Sequence, residues 1–347
     1  MFAADGPYSA RRRGDVVQLE DTKAQTTVSI LPSVGDIAFE MNVKGQNVLH
    51  WPFPSTDAFK AKPSMAGIPF VGPWANRLDE TAFYANGRKY AFDMQLGNVR
   101  GPIPIHGFMT TTDQWQVVEM NADARSAWVT SRLDFSRQPD WMKQWPFPHT
   151  IEMTHRLQDG VLEVQTKIIN TGKDAMPVVI GFHPYFRLTD SRRDEWTLSV
   201  GARTRWLLAQ TKIPTGETEP ADRLFDRPGT PLADYNIDDV FSDLVRDGSG
   251  RATTTMAGKS QRLSVQVGPN YKAIVIWAPN AADTGRGSQR LTGPPNPLDR
   301  GDFICIEPMA GISNAINLAH KGRYGELQSI APGGVWRESF WVKPSGF

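Results

Sequence analysis

The residue best placed for chemistry is a carboxylate, Glu307, which directly follows the apolar run at 303–306. This run has the composition of a buried β-strand, and Pro308 is expected to end it because proline has no N–H to donate. Partial desolvation at such a strand end raises a carboxyl pKa toward neutrality. Glu307 is therefore a candidate catalytic carboxylate, with an ordinary surface carboxylate as the alternative. Cys305 lies in the same run and is expected to be a buried, inert thiol.

A histidine, His183, occupies a similar position after the apolar run at 178–180, and Pro184 is expected to end the pairing there. Imidazole is the side chain most often used as a general acid or base near neutral pH. Tyr185 follows, and an aromatic face of this kind suits the C–H face of a sugar ring. The alternative is a core histidine surrounded by ordinary core aromatics.

Two loops upstream offer hydrogen-bonding groups. The first, rich in glycine and proline at 67–78, contains Asn76 and Arg77 near its end, an amide next to a planar guanidinium. The second places His106 between a stiff apolar stretch and Gly107, where another backbone can approach closely. These side chains are candidates for binding a polar ligand. The alternatives are a structural salt bridge for Arg77 and a core position for His106.

Two adjacent carboxylates, Asp238 and Asp239, precede a short apolar pair. Successive side chains of a strand point to opposite faces, so at most one of the two can face a common site. The sequence does not distinguish between them. A turn followed by the start of a strand is the structural alternative for this segment.

A metal site is the rival interpretation of the same side chains. His106, His183 and Glu307 have the residue types of a two-histidine, one-carboxylate site. Their separation along the chain matches neither helix nor strand spacing, so we expect no bound metal. Loss of activity on chelation would revive this alternative.

The elements that must position these residues are mostly strands, because apolar and polar residues alternate with a period of two. Such alternation is typical of half-buried antiparallel strands. It occurs at 37–43, 129–135, 151–157, 162–168 and 263–267. The apolar runs at 178–180, 273–277 and 303–306 are expected to be covered on both faces. The predicted fold class is all-β, a large antiparallel β-sandwich with long loops.

No repeat or linker divides the chain, so a single domain is predicted at 26–347. Residues 1–25 are polar, include the basic run at 11–13, and are expected to be a flexible N-terminal segment. A long irregular segment at 279–301 immediately precedes the strand that carries Glu307. Such loops are more often functional or mobile than accidental.

The composition argues against several classes of function. The chain has 38 lysines and arginines against 37 aspartates and glutamates, which argues against a nucleic-acid partner. No apolar run approaches the length of a membrane span, so no membrane association is expected. A single cysteine allows no intrachain disulfide. It leaves the compartment open, with the cytoplasm preferred and the periplasm the alternative for a chain that has lost its leader.

Five segments, in this order, resemble the motifs of the aldose 1-epimerases, or galactose mutarotases. They are 72–78 (Gly-Pro-Trp-Ala-Asn-Arg-Leu), 105–107 (Ile-His-Gly), 145–157 (a strand opening with Trp-Pro-Phe-Pro), 170–188 (Asn-Thr-Gly, then His-Pro-Tyr-Phe-Arg-Leu) and 304–317 (Ile-Cys-Ile-Glu-Pro, then Asn-Ala-Ile-Asn). The resemblance extends from about residue 26 to the C-terminus. It implies the galactose mutarotase-like fold, a β-sandwich of the supersandwich type.

The resemblance implies an aldose 1-epimerase-type isomerase that interconverts the α and β anomers of a hexose by opening the sugar ring. Glu307 would remove the proton from the anomeric hydroxyl, and His183 would protonate the ring oxygen. The two groups are expected to face one cleft about 5–7 Å apart, the span of a sugar ring. No cofactor is implied, because proton transfer is the whole reaction. The implied partner is a small-molecule sugar, bound by a monomer or a homodimer.

The resemblance also implies which residues hold the substrate. The substrate-binding residues are Arg77, His106, Asp238, Asn76 and Tyr185. Arg77 and His106 would bind sugar oxygens and steady the charge that develops near the ring oxygen. Asp238 would accept hydrogen bonds from sugar hydroxyls, and Asp239 is its rival for that role.

Two departures from the family pattern bear on the substrate. Phe108 stands where the family has a second glycine, and Arg187 stands where it has an asparagine. The His-Gly-Phe sequence is similar to that of hexose-6-phosphate epimerases, and Arg187 together with Arg77 could face an anionic sugar. The alternative function is therefore a hexose-phosphate epimerase or a non-catalytic carbohydrate-binding relative.

Overall fold

The computed structural model describes residues 6–225, 228–279, 289–290 and 303–347, and within these ranges the chain is mainly β-strand. The strands in chain order are β1 (Tyr8–Arg13), β2 (Val16–Asp21), β3 (Thr26–Leu31), β4 (Ile37–Val43), β5 (Gln46–Asn47), β6 (Phe70–Val71), β7 (Ala82–Ala85), β8 (Arg88–Ala91), β9 (Gln116–Ala122), β10 (Ala127–Asp134), β11 (His149–Gln158), β12 (Val161–Asn170), β13 (Met176–Val178), β14 (Gly181–Phe182), β15 (Tyr185–Phe186), β16 (Thr197–Val200), β17 (Ala202–Leu208), β18 (Pro214–Pro220), β19 (Thr230–Pro231), β20 (Tyr235–Leu244), β21 (Ala252–Ala257), β22 (Arg262–Val267), β23 (Ala273–Ala278), β24 (Gln289–Arg290), β25 (Ile304–Met309), β26 (Gln328–Ile330) and β27 (Val335–Ser345).

The described helices are short. The α-helices are α1 (Thr56–Ala61), α2 (Pro139–Gln144) and α3 (Ala315–His320). The single turns of 3-10 helix are Met94–Leu96, Phe135–Arg137, Arg193–Glu195, Ala221–Arg223 and Leu232–Asp234. Among the described residues, no helix has both the length and the apolar character needed to cross a bilayer.

Two nine-stranded antiparallel sheets dominate the fold. The first, sheet I, has the order β19-β16-β21-β22-β27-β12-β11-β10-β9. The second, sheet II, has the order β18-β17-β20-β23-β25-β14-β6, with β15 paired to β25 and β24 paired to β20. Side chains of the two sheets meet in one hydrophobic core, where the rings of Phe182 (sheet II) and Phe340 (sheet I) lie 4.9 Å apart. The prediction of an all-β, antiparallel fold is confirmed.

The period-two pattern marks the core face of sheet I correctly. In β11 and β12 the alternate side chains Ile151 and Ile168 lie opposite each other and are buried, as are Leu157 and Leu162. The residues that alternate with these buried positions are only half-buried or exposed. Burying the apolar face of each strand fixes the register, because a slip of one residue would bring the polar face into the core.

The expectation of a flexible segment at 1–25 is wrong for residues 8–21, which form β1 and β2. These strands begin a five-stranded sheet with β3, β4 and β5. Val17 and Leu19 are fully buried, and β2 lies against β10 and β11 of sheet I. The basic run at 11–13 obscured this alternation of apolar and polar residues. The arginines themselves are exposed at the end of β1, where their charges remain hydrated.

The expectation that Pro308 ends its strand is also wrong, since β25 continues to Met309. A proline removes one donor, but its neighbours keep the ladder intact: the Lys272 N–H donates to the Met309 carbonyl at 2.9 Å, and the Ala310 N–H donates to the Ile180 carbonyl at 2.9 Å. Glu307 therefore lies inside a central strand of sheet II rather than at its end. The segment at 279–301, expected to be a functional or mobile loop, lies outside the described residues apart from Pro279 and β24.

Candidate active site

Three neighbouring strands of sheet II form the floor of a pocket. Asp238 on β20 lies opposite Trp277 on β23, which lies opposite Cys305 on β25. Directly opposed side chains share one face of a sheet, and Glu307, two residues after Cys305, shares it too. The predicted burial of the Cys305 thiol is confirmed, and its side chain lies on this same face.

The pocket has a volume of about 210 Å³ and brings together all seven side chains predicted from the sequence. Its lining residues are Met65, Asn76, Arg77, His106, His183, Tyr185, Asp238, Trp277 and Glu307. A larger groove of about 480 Å³ lies beside β16 and β21, but its lining contains only one titratable side chain, Asp222. The concentration of acid–base groups therefore marks the smaller pocket as the candidate active site.

Glu307 and His183 are in direct contact. Glu307 Oε1 lies 3.2 Å from His183 Nε2, and the glutamate is only 1% exposed. The expected separation of 5–7 Å is wrong, because β15, which follows His183, pairs with β25, which carries Glu307. Neighbouring strands lie about 4.8 Å apart, so their side chains reach hydrogen-bonding distance. Within the described residues, neither Glu307 Oε2 nor His183 Nδ1 has a hydrogen-bond partner.

Burial changes the acidity of both groups. It raises the pKa of Glu307 well above its usual range, an effect that the charge of Asp238 strengthens and that of Arg77 opposes. Burial, assisted by the charge of Arg77, lowers the pKa of His183 to about 3. Desolvation disfavours the ionised form of each partner. Of the two arrangements in which the pair shares one proton, burial therefore favours the one with the proton on the carboxyl group.

The loops that carry Asn76 and His106 are joined to each other. The Asn76 N–H donates to His106 Nδ1 at 3.2 Å, and the His106 N–H donates to the Asn76 carbonyl at 3.0 Å. Both residues have positive φ, a conformation that side chains other than glycine adopt rarely and that clusters at functional sites. A Cβ at Gly107 would lie 2.0 Å from the Gly72 carbonyl oxygen, so only glycine allows this approach.

These contacts determine what each side chain offers the pocket. The pKa of His106 is lowered well below its usual value by burial and by the charges of His183 and Arg77, so its ring is neutral. Because Nδ1 accepts the Asn76 N–H, the ring proton is on Nε2 and can be donated. Arg77 Nη1 donates to Asn76 Oδ1 at 3.2 Å and makes no salt bridge with any described carboxylate. The structural alternative for Arg77 is therefore not observed in this part of the chain.

The ambiguity between Asp238 and Asp239 is resolved by their positions on β20. Asp239 is 1% exposed and lies 3.2 Å from the Arg205 Nε, on the face away from the pocket. Asp238 lines the pocket and lies 3.9 Å from Lys212 Nζ.

Sequence reasoning missed two of the lining residues, Trp277 and Met65. The Trp277 ring lies 5.8 Å from that of His183 and 6.1 Å from that of Tyr185, in edge-to-face geometry. Its signal was its place at the end of the apolar run 273–277, which was interpreted only as core. Arg187, one of the two departures from the family pattern, does not line the pocket. Met65 had no sequence signal.

The described residues contain no group of three His, Cys, Asp or Glu side chains arranged to hold a metal ion. In the pocket, the His106 and His183 rings lie 5.2 Å apart in edge-to-face geometry, and His106 Nδ1 is engaged with the backbone of Asn76.

Known proteins share both the sequence pattern and the fold. The family model for aldose 1-epimerase matches residues 16–343. The uncharacterized protein YphB from Escherichia coli (strain K12) is 22% identical over 266 residues, which cover 75% of this chain and 78% of that protein.

Two solved structures show the same fold at low sequence identity. A galactose mutarotase-like protein from Clostridium acetobutylicum superposes with a TM-score of 0.78 at 21% identity, covering 98% of each chain. Galactose 1-epimerase from Lactobacillus acidophilus NCFM superposes with a TM-score of 0.66 at 16% identity, covering 99% of each chain. The fold is therefore galactose mutarotase-like, and the match of the family model over nearly the whole chain shows that this protein belongs to the aldose 1-epimerase family.

Proposed function

We propose that this protein is a mutarotase that interconverts the α and β anomers of a free hexose. The observation that carries the proposal is the 3.2 Å contact between Glu307 and His183 inside a small pocket with polar walls. A carboxylate and an imidazole are the two groups that a ring-opening reaction needs, one to remove a proton and one to supply it. The proposed reaction requires no cofactor, because only protons and one C–O bond move.

The proposed reaction starts with the proton of the pair on His183. Glu307 takes the proton of the anomeric hydroxyl, and the electron pair of the bond between C1 and the ring oxygen moves to that oxygen. His183 gives its proton to the ring oxygen, and the open-chain aldehyde results. Rotation about the C1–C2 bond presents the other face, and closure returns both protons to the groups that gave them.

The buried environment favours the state that this opening step reaches. After opening, Glu307 is protonated and His183 is neutral, which is the form that desolvation favours for each group. Arg77 and the Nε2 proton of His106 supply fixed donors for the charge that develops on the sugar oxygens, and such preorganised donors lower a barrier without reorganising. Tyr185 and Trp277 provide aromatic surfaces for the C–H faces of the ring.

The lining favours an uncharged sugar over a hexose phosphate. The pocket contains two carboxylates, Asp238 and Glu307, and one permanent cation, Arg77. A phosphate group carries up to two negative charges, and this lining has no net positive charge to bind it, since Asp238 balances Arg77 and the Glu307–His183 pair shares one proton. Arg187, which suggested an anionic ligand, does not contribute to the pocket.

The proposal is tested by polarimetry with freshly dissolved single anomers of several hexoses, including glucose and galactose. We expect at least one sugar to reach its equilibrium rotation much faster with protein than without it. The same rate is expected after treatment with a chelator, which tests the metal alternative. If no free sugar is accelerated although calorimetry detects binding, the protein is a carbohydrate-binding relative instead. Acceleration confined to a hexose phosphate would support the phosphate epimerase.

A further inference from the structure

Two cationic side chains of the hairpin formed by β17 and β18 lie beside the two adjacent aspartates of β20. Arg205 lies 3.2 Å from Asp239 and also donates to Glu219 at 2.7 Å. Lys212, in the turn of the same hairpin, lies 3.9 Å from Asp238. The two contacts face opposite sides of the strand, and only the one with Lys212 lies beside the pocket.

The contact between Lys212 and Asp238 is longer than the one between Arg205 and Asp239, so the two charged groups do not touch directly. A separation of 3.9 Å is too long for a hydrogen bond between an ammonium and a carboxylate. The Lys212 side chain is only 13% exposed, and its Nζ has no hydrogen-bond partner among the described residues. A buried ammonium without hydrogen bonds is costly, so an oxygen atom is expected to complete the arrangement.

The local backbone also singles out Lys212. Its φ is 61°, in the left-handed region that turns usually fill with glycine or asparagine. Its N–H donates to the Ala209 carbonyl at 2.9 Å, and the Ala209 N–H donates to the Ile213 carbonyl at 2.9 Å, which closes the turn. Any residue could supply these backbone bonds. The choice of lysine therefore points to its side chain, which the turn directs toward Asp238.

We propose that Lys212 is a specificity-determining residue, which binds one hydroxyl group of the sugar jointly with Asp238. The inference rests on the proposed function and adds that one recognised group of the substrate is a hydroxyl. A hydroxyl group between the two can accept a hydrogen bond from Lys212 Nζ and donate one to Asp238 Oδ2. No group that only accepts or only donates satisfies both. A deoxy sugar leaves Lys212 Nζ without this hydrogen bond, and an amino sugar brings a positive charge against the lysine.

The test compares kcat/KM for the best hexose with kcat/KM for its 2-, 3-, 4- and 6-deoxy analogues. In the wild type, we expect kcat/KM for one deoxy analogue to be roughly a hundredfold lower than for the parent sugar. The missing hydroxyl leaves the buried Lys212 ammonium without its hydrogen bond. In Lys212→Met, that preference falls to less than about tenfold, because one of the two ionic contacts is already lost. The other analogues keep the ratios that they have in the wild type.

Two further variants separate a specific role from a general one. Lys212→Arg keeps the charge and the donors, so it is expected to restore part of the preference. Lys259→Met removes the cation of an exposed pair with Glu195 and serves as the matched control, with wild-type ratios expected. Thermal unfolding of each variant verifies that it is folded at the assay temperature.

The inference is overturned if Lys212→Met discriminates among the analogues as the wild type does. It is equally overturned if the lysine variant weakens all sugars by one common factor, since that is the result of a structural role. If the wild type accelerates no hexose, the proposed function fails separately. Calorimetric affinities for the same sugar and analogues then replace kcat/KM in the comparison, with the same expected ratios.

Discussion

The described part of the chain contains two buried pairs of histidine and carboxylate, and they differ in access rather than in chemistry. His183 and Glu307 lie 3.2 Å apart, and His155 and Asp36 lie 3.8 Å apart. Burial raises the pKa of Asp36 to about 8 and lowers that of His155 to about 3. The same directions hold for Glu307 and His183, so desolvation favours the neutral form of both pairs.

The surroundings of the two pairs are different. Asp36 and His155 are fully buried, and the Ser131 hydroxyl donates to Asp36 Oδ1 at 2.8 Å. Neither residue lines the candidate active site or the larger groove beside β16 and β21. The pair of Glu307 and His183 instead lines a pocket together with an arginine, a second histidine and an aspartate. Perturbed acidity alone therefore does not identify an active site; access and convergent donors are also required.

The largest expected difference between the pairs is in activity. His183→Asn removes the proposed acid, so kcat for mutarotation should fall by roughly 10²- to 10⁴-fold. Asp36→Asn keeps the shape of the core carboxyl group and the acceptor for Ser131, so kcat should stay within about twofold of the wild type. Polarimetry of both variants provides the comparison. Equal losses in the two variants would mean that the pairs do not differ in function.

For stability we expect the opposite order: removing the carboxyl group of the Asp36–His155 pair should lower the free energy of unfolding more than removing that of the Glu307–His183 pair. Asp36→Ala leaves Ser131 without its buried acceptor and creates a cavity, so the free energy of unfolding should fall by about 2–4 kcal/mol. Glu307→Gln replaces a carboxyl group that is costly to ionise when buried, so the loss should be below about 1 kcal/mol. Urea denaturation measures both values. A larger loss for Glu307→Gln than for Asp36→Ala would contradict this ranking.

The pH dependence of stability should identify Asp36. Its folded pKa of about 8 is above that of an unfolded aspartate, so the folded state holds more protons, and the stability that this provides is lost as pH rises toward 8. Below about pH 6.5 the unfolded state gains a proton on His155, which offsets this slope. From pH 6.5 to 8, the wild type should therefore lose about 2 kcal/mol more than Asp36→Asn. Identical slopes in urea denaturation would show that Asp36 is not protonated in the fold.

The smallest effect concerns the charge next to the active pair. Asp238 raises the pKa of Glu307, so Asp238→Asn should lower that pKa. Because the reactive pair carries one proton, loss of that proton removes the acid, so kcat/KM should fall as pH rises through this pKa. This falling limb should move to lower pH in the variant. The maximum of kcat/KM should also fall, because the variant binds the sugar more weakly. The pH at which the limb lies is therefore the informative quantity. Asp57→Asn, an exposed carboxylate on α1, is the control and should leave the limb in place.

The strands and the site residues were accessible from the sequence for different reasons. The alternation in β11 and β12 directly reflects which side chains are buried, so it predicts those strands well. The site residues were identified by their types and by their order in the family motifs. Neither signal contains distances, so the direct contact between His183 and Glu307 was not anticipated. It depends on the pairing of β15 with β25, which are far apart in sequence.

Other details could not be predicted because they depend on tertiary structure. Pro308 remains inside β25 because hydrogen bonds of Met309 and Ala310 compensate for the missing donor. Asp238 faces the pocket because Arg205 binds Asp239 on the other side of the strand. Trp277 was missed because an apolar residue of a central strand gives the same local pattern whether it faces the core or a ligand.

The central claim, that Glu307 is the base of a mutarotase, is tested most directly by the mutarotation rate of Glu307→Gln. The substitution keeps the size of the side chain and its place beside His183 but removes its ability to take a proton. With a fresh anomer of the best substrate, the wild type should bring the optical rotation rapidly to equilibrium, and the folded variant should proceed at close to the uncatalysed rate. A Glu307→Gln variant that is as fast as the wild type would contradict the assignment.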